Sequence, residues 1–213
     1  MVSRVGNFRI IPRLRREYHS LEELGKLEPS KDPFKFFKFM FRKACVKEFE
    51  ANAAVLCTSK ANGRVVLVKN FEKSFWFFTS KYSQKVKELN KNSSATLLFY
   101  WPSISCQVRI RGKTKVLPRK ISLEYFYSRP FEAQLAFAIS KQSEKLRNWH
   151  LLRAKFLKLR DQRKKIPCPQ HWIGFELNAS TFEFWFGNTE RLHRRFLFKK
   201  KNKIGWVISE LYP

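Results

Sequence analysis

Phe182-Glu183-Phe184-Trp185 reads as an apolar, aromatic strand that delivers a tryptophan, and a turn with Gly187 and Asn188 leads from it into Arg191-Leu192-His193-Arg194-Arg195. A ring beside a dense group of cations suits a planar, phosphorylated ligand, because charge-assisted hydrogen bonds to phosphate are the strong ones. Matching parts occur elsewhere. Arg64 and Lys69 bracket the run Val65-Val66-Leu67-Val68. Side chains alternate along a strand, so these two cations project to opposite faces, one toward a cofactor and the other toward a substrate. Lys85 opens a helix, where free N–H groups also favour phosphate. Tyr125 and Arg129 are four apart, on one face if the segment is helical, and together make a phosphate clamp.

Other chemistries have no residues to carry them. The seven glycines are scattered, and neither a GxGxxG nor a P-loop is present: Gly112-Lys113 lacks the upstream glycine. No GxSxG elbow and no HExxH occur. The four histidines, at 19, 150, 171 and 193, lack metal-ligand spacing, so no metal is expected. The cysteines at 45, 57, 106 and 168 form no CxxC pair, which argues against a zinc site and for a reducing, cytoplasmic setting. Cys45 and Cys57 lie in apolar patterns and read as small core residues.

Elements able to position such a site follow from the patterning. The 213 residues fit one domain, and 44% hydrophobic residues with 22 Phe exclude a disordered chain. Residues 1–31 read as an arm with a short helix around Leu14–His19, and 32–213 as the folded domain. Asp32-Pro33 opens a helix whose stripe is Phe37, Met40, Phe41, Ala44 and Cys45. Ala53–Thr58 and Arg64–Lys69 flank Asn62-Gly63, a hairpin signal. Further strands are read at 75–79, 95–101, 107–116, 172–177, 181–185, 192–198 and 206–209. Helices are read at 83–91, 119–127 and 131–139, with a longer one capped by Ser143 and carrying Leu146, Trp149, Leu152, Phe156 and Leu159. Lys199-Lys200-Lys201-Asn202-Lys203 reads as a solvated hairpin tip. Many strands without βαβ alternation predict a mainly β, barrel-like antiparallel sheet with accessory helices.

The net charge of +27 raises the question of a polyanion partner, but the cations are spread along the whole chain rather than gathered in a tail, so nucleic acid is not the expected ligand. The longest uncharged run, Asn92 to Val108, holds Pro102 and too many polar residues to span a bilayer, and no membrane partner is expected.

The motifs Leu14-Arg15-Arg16-Glu17-Tyr18, Arg64 to Lys69, Phe78-Thr79, Gln107-Val108, Tyr125-Phe126-Tyr127-Ser128-Arg129-Pro130, Ser140-Lys141-Gln142-Ser143, Glu183-Phe184-Trp185, Arg191-Leu192-His193 and the terminal Leu211-Tyr212-Pro213 occur in one order over nearly the whole chain. In this the sequence resembles the pyridoxine/pyridoxamine 5'-phosphate oxidase family. The resemblance implies an FMN-binding split β-barrel, a homodimer with two FMN sites at the subunit interface and a C-terminal dimerisation region. By the family pattern FMN is held by Arg64, Val65, Val66, Leu67, Val68, Lys69, Phe78, Thr79, Gln84, Lys85, Gln107, Gln142, Ser143, Trp185 and Arg195. Arg64 and Lys85 meet its phosphate, and Gln142 and Ser143 come from across the interface. Lys69, Tyr125 and Arg129 hold the substrate phosphate. Arg191 and His193 orient the pyridine ring, and Arg15 and Tyr18 close over it as a lid.

The implied reaction passes a hydride from the substrate carbon to FMN, with O2 restoring the flavin and leaving as H2O2, so no side-chain nucleophile is required. Four positions depart from the family pattern: Ala133 stands for a Ser, Gln84 for an Arg, Arg194 for an acidic residue and Phe186 for a polar one. One neutral hydrogen bond lost at Ala133 costs on the order of 1 kcal/mol, and one charged contact at Gln84 about 1.5–3 kcal/mol. The alternative class is a non-catalytic barrel that binds pyridoxal phosphate or a polyanion.

Overall fold

A computed structural model describes Tyr18 and residues 20–201 and 205–213. The expected helix at 14–19 and the residue Arg15 lie outside the described residues, as do residues 202–204 of the lysine-rich tip. The arm carries a helix that sequence reading had not placed, α1 (Leu21–Gly25). A reciprocal capping box starts it: the Ser20 N–H donates to Glu23 Oε2 at 3.0 Å and the Glu23 N–H to Ser20 Oγ at 3.2 Å.

α2 (Pro33–Cys45) starts where Asp32-Pro33 predicts, with Asp32 Oδ1 accepting the Phe34 N–H at 2.9 Å. It fills the barrel. Phe37 is fully buried and meets Phe75, Phe99 and Trp101 at ring separations of 5.0–5.5 Å, while Phe36 meets Phe184 at 4.6 Å. Cys45, at its end, is exposed and Cys57 half-buried; Cys106 is the fully buried thiol. The core assignment of Cys45 and Cys57 is therefore corrected: Cys45 lies at the solvent end of its helix stripe, and Cys57 lies in the strand row that alternates away from the core.

The strands are β1 (Ala53–Thr58), β2 (Gly63–Leu67), β3 (Phe75–Ser80), β4 (Ser94–Trp101), β5 (Cys106–Val116), β6 (Trp172–Phe186), β7 (Arg194–Lys201) and β8 (Gly205–Leu211). They form one antiparallel sheet in the order β2-β1-β4-β5-β6-β7-β8, with β3 also paired to β6. The β1–β2 hairpin is where Asn62-Gly63 predicts, for a different local reason. Gly63 is already paired in the strand with Cys57, and the positive φ of 55° falls on Ala61. β2 ends at Leu67, yet the expected alternation continues: Val66 and Val68 are buried, and Val65 and Lys69 exposed.

The largest difference concerns β6. Residues 172–177 and 181–185 are expected as two strands, with Asn178-Ala179-Ser180 between them. The structure runs them together as 15 residues, absorbing the break in a bulge opposite Arg111/Gly112. Gly112 is required there, since a Cβ would overlap the Asn178 carbonyl. One edge of β6 thus carries two partners, β3 along 172–177 and β7 along 181–186, while β5 runs along the other edge. This shared strand is what splits the barrel.

Four helices complete the chain: α3 (Gln84–Lys91), α4 (Arg119–Ser128), α5 (Phe131–Ile139) and α6 (Trp149–Asp161). α6 is capped by Asn148, whose Oδ1 accepts the Leu151 N–H at 3.2 Å, and not by Ser143. Ser143 has φ 73° and belongs to the site. Among the described residues no helix is long and apolar enough to cross a membrane.

Candidate functional site

The expected residues fall into two clusters. The first surrounds a cleft of about 370 Å³ between β2, the end of β3, α3, α4 and the segment after α5. Lys85, in the first turn of α3, is 8% exposed and donates to Thr79 Oγ1 at 3.1 Å. Its pKa is lowered, first by burial and then by Arg64, with Glu88 opposing. Thr79 donates in turn to Gln142 Oε1 at 3.1 Å, which also accepts the Ser80 N–H at 3.3 Å, and the Gln84 N–H donates to Ser143 Oγ at 3.4 Å. Gln142 and Ser143 therefore reach the Lys85 side of the cleft within one chain. This differs from the expectation that they arrive from across an interface: the turn after α5 carries them back onto β3 and α3.

At the other side of the cleft Tyr125 stacks on Phe78 at 4.2 Å, and Lys69 Nζ lies 5.9 Å from the Tyr125 ring centre. Arg129 is the extended residue that ends α4, so it shares the cleft with Tyr125 without continuing the helix. Its guanidinium sits 4.7 Å from the Trp172 ring centre, and its Nη1 is buried without a hydrogen-bond partner. Burial lowers its pKa. A desolvated guanidinium with an uncommitted N–H, beside a lysine and a tyrosine, fits a phosphate ester. Sequence reading missed Trp172, Phe137 and Ser140 in this lining. Their signal was weak because Trp172 reads only as a strand start and Phe137 only as one residue of the 131–139 helix.

Arg64 points inward, opposite buried Leu56, and forms an ion pair with Glu88 at 2.9 Å. Val65 and Leu67 line the cleft, as does Val66.

The second cluster lies at the far end of β6. Gln107, Trp185 and Arg195 occupy one row across β5, β6 and β7. Arg195 donates to Glu183 Oε1 at 2.8 Å and to the Tyr212 carbonyl at 2.9 Å, and Arg109 pairs with the other Glu183 oxygen. Burial opposes the ionisation of Glu183, but hydrogen bonds from both arginines outweigh it and lower its pKa. Trp185 and His193 are 4.7 Å apart, and Tyr18 meets both edge-on at 6.0 and 6.1 Å. Gly187 makes room for this, since a Cβ there would overlap the Tyr18 ring. Tyr18 thus lies over the cluster. Arg191 adopts φ 66°, in the turn built on buried Asn188.

His193 Nδ1 accepts the Asn188 N–H at 3.1 Å, so the neutral ring carries its proton on Nε2. Burial and then Arg191 lower its pKa below 6.5. Protonation of His193 is therefore displaced to lower pH than for an ordinary histidine, and any acid limb of kcat/KM due to it is displaced the same way. In Arg191→Leu that limb is expected to move toward higher pH; a pH–rate profile of the two proteins measures the shift.

Three departures acquire a physical meaning. Arg194 turns to the opposite face from Arg195, grips Glu210 with two bonds of 2.7 and 3.1 Å and donates to the Leu27 carbonyl at 2.9 Å. It ties the arm to β8 instead of intruding on its neighbours. Phe186 is 1% exposed and packs with Phe36 and Phe196 in the core. Ala133 faces the apolar groove between α5 and α6, not the cleft.

The two clusters are far apart in one chain. Val65 of the cleft and Glu183 of the second cluster lie on one row through Val55, Leu98 and Arg109, four strand spacings or roughly 19 Å from each other.

A family model described as pyridoxamine 5'-phosphate oxidase matches residues 41–163, and one described as the C-terminal dimerisation region of pyridoxine 5'-phosphate oxidase matches 172–213. Among curated relatives, the pyridoxine/pyridoxamine 5'-phosphate oxidase of Trichormus variabilis is 37% identical over 213 residues, 96% of this chain and 99% of its own length. Pyridoxine/pyridoxamine 5'-phosphate oxidase 1 of Hydrogenovibrio crunogenus is 38% identical over 210 residues, 93% of this chain and 96% of its own. Among solved structures, PhzG from Burkholderia lata, in complex with tetrahydrophenazine-1-carboxylic acid, gives a TM-score of 0.81 at 26% identity, covering 87% of this chain and 95% of that one.

Proposed function

The chain belongs to the pyridoxamine 5'-phosphate oxidase family, and from that premise we propose that it oxidises pyridoxamine and pyridoxine 5'-phosphate to pyridoxal 5'-phosphate, with FMN as the bound cofactor and O2 as the final acceptor. The observation that carries this reading is the buried, uncommitted Nη1 of Arg129 in a cleft shared with Lys69 and Tyr125. A second anion-binding end of the same cleft, around Lys85, Thr79 and Gln142, supports a cofactor that is itself phosphorylated. We assign the reaction to a cytoplasmic enzyme, in keeping with four free thiols.

FMN, when bound, supplies the two-electron acceptor that the protein's own side chains lack. Lys85 answers its phosphate, with Arg64 held beside it by Glu88, and Thr79 and Gln142 line its path. Lys69, Tyr125 and Arg129 fix the substrate phosphate, whose binding energy orients the rest of the substrate. His193 and Arg191 meet the pyridine ring, with neutral His193 offering its Nε2 proton. Tyr18 and Trp185 shield the reacting face from water.

The separation of the clusters supports a homodimer in which the cleft of one chain receives the Trp185 cluster of its partner. The outer sheet face between them supports the same arrangement. Val65 and Tyr100 are 64% and 54% exposed there, beside half-buried Val55 and Leu98. The dimerisation region matched by the C-terminal residues is the part that carries Trp185, His193 and Arg195.

Purified protein is expected to be yellow and to release peroxide as it consumes pyridoxamine 5'-phosphate. Arg191→Leu and His193→Ala are expected to slow turnover and leave the colour, whereas Arg64→Leu loses flavin. Colourless protein that takes up no added FMN would overturn the reading.

A further inference from the structure

Glu88 has no part in the roles assigned above, yet it is the most fully engaged carboxylate near the cleft. Its side chain is 1% exposed. Oε2 accepts from Thr58 Oγ1 at 2.6 Å and from Arg64 Nη2 at 2.9 Å; Oε1 accepts from Asn62 Nδ2 at 2.6 Å and from Gln84 Nε2 at 3.0 Å. These donors come from the end of β1, the hairpin turn, β2 and α3, so one carboxylate ties four pieces of chain together. It is ionised: its pKa is held down to about 2, first by the Thr58 hydrogen bond and then, against burial, by Gln84, Asn62 and Arg64.

The arginine it holds is committed on both sides. Arg64 Nη1 donates to Thr58 Oγ1 and to the Asn62 carbonyl, each at 3.1 Å, while Nη2 faces Glu88. A guanidinium paired this closely presents an incoming anion with a dipole in place of a net charge. Lys85 stands next to the pair and differs from it. Its ammonium donates to Thr79 Oγ1 and, among the described residues, makes no ion pair. Gln84, at the position where the family pattern has an arginine, adds no charge and spends its amide on Glu88.

We propose that Glu88 is the built-in counter-charge of the flavin-phosphate subsite: its carboxylate positions Arg64 and cancels its charge, leaving Lys85 as the cation that answers the phosphate. Glu88 is thus a positioning residue that lowers this chain's affinity for phosphorylated flavin. The inference rests on the flavin reading above and extends it to a residue that touches no ligand.

Apoprotein titrated with FMN and with riboflavin, which lacks the phosphate, isolates the subsite as the ratio of the two affinities. Glu88→Gln keeps the shape and removes the charge. It is expected to raise the preference for FMN about tenfold, the scale of one released charged contact, with riboflavin affinity unchanged. Lys85→Met, in otherwise unaltered protein, is expected to leave the two flavins within about threefold of each other, because Arg64 is already neutralised. The second variant keeps the test open if Glu88→Gln does not fold. The proposal is overturned if Glu88→Gln weakens both flavins alike, as a purely structural tie would, or leaves the ratio unchanged. It is also overturned if Lys85→Met keeps most of the preference for FMN. Unaltered apoprotein that binds neither flavin would instead sink the flavin reading itself.

Discussion

Arg129→Leu is expected to lower kcat/KM for pyridoxamine 5'-phosphate about a hundredfold while the protein keeps its flavin. Leucine fills much of the same space against Trp172 but cannot donate, and a hydrogen bond between charged partners is worth up to about 3 kcal/mol, close to two decades in rate. The loss is expected in KM more than in kcat, because the phosphate is held equally in ground and transition states. The flavin is unaffected because Lys85, Thr79 and Gln142 form a separate end of the cleft.

The same variant tests the two-chain site. Arg129 and His193 lie in clusters that one chain keeps apart. If each site draws on both chains, Arg129→Leu and His193→Ala proteins unfolded and refolded together form mixed dimers in which one of the two sites is intact. About half of randomly paired dimers are mixed, so recovery of about a quarter of the unaltered activity is expected. No recovery above the two separate variants would mean that each site is built by one chain.

Phe37→Ala is the substitution expected to cost most stability. Phe37 is fully buried where α2 plugs the barrel, against Phe75, Phe99, Trp101 and Phe71. Removing such a ring costs about 3–5 kcal/mol, from lost transfer energy and the cavity left behind. Against a typical domain stability of about 5–15 kcal/mol, that is a large share. Urea titration is expected to show a lower midpoint with little change in slope. A midpoint within the error of the unaltered protein would mean that α2 is not part of the cooperative core.

Arg64, Glu88 and the long β6 show how far sequence reading reached. The cation at Arg64 and its strand were legible from alternation alone. Its anchoring by Glu88 was not, since Glu88 reads as one more polar residue on a helix and the pair is 24 positions apart. Likewise the two apolar runs of β6 were legible, but a bulge and a break look alike in sequence; pairing with β5 made it one strand. Ser143 was read as a helix cap because Ser favours that role. Its contact with Gln84, 59 positions away, overrode the local preference.

The order of the elements, the plug helix opened by Asp32-Pro33, the hairpin at Asn62-Gly63 and the identities of the site residues were therefore set locally. Caps, turns and alternation act over a few residues, and a motif keeps its residue types whatever surrounds it. Folding alone grouped the distant ones: Gln142 with Thr79 in one cleft, Arg194 turned away to Glu210, and Arg64 balanced by Glu88. Such pairings depend on strand register and chain reversal between residues far apart in sequence, and no local pattern encodes which of several distant partners a side chain will meet.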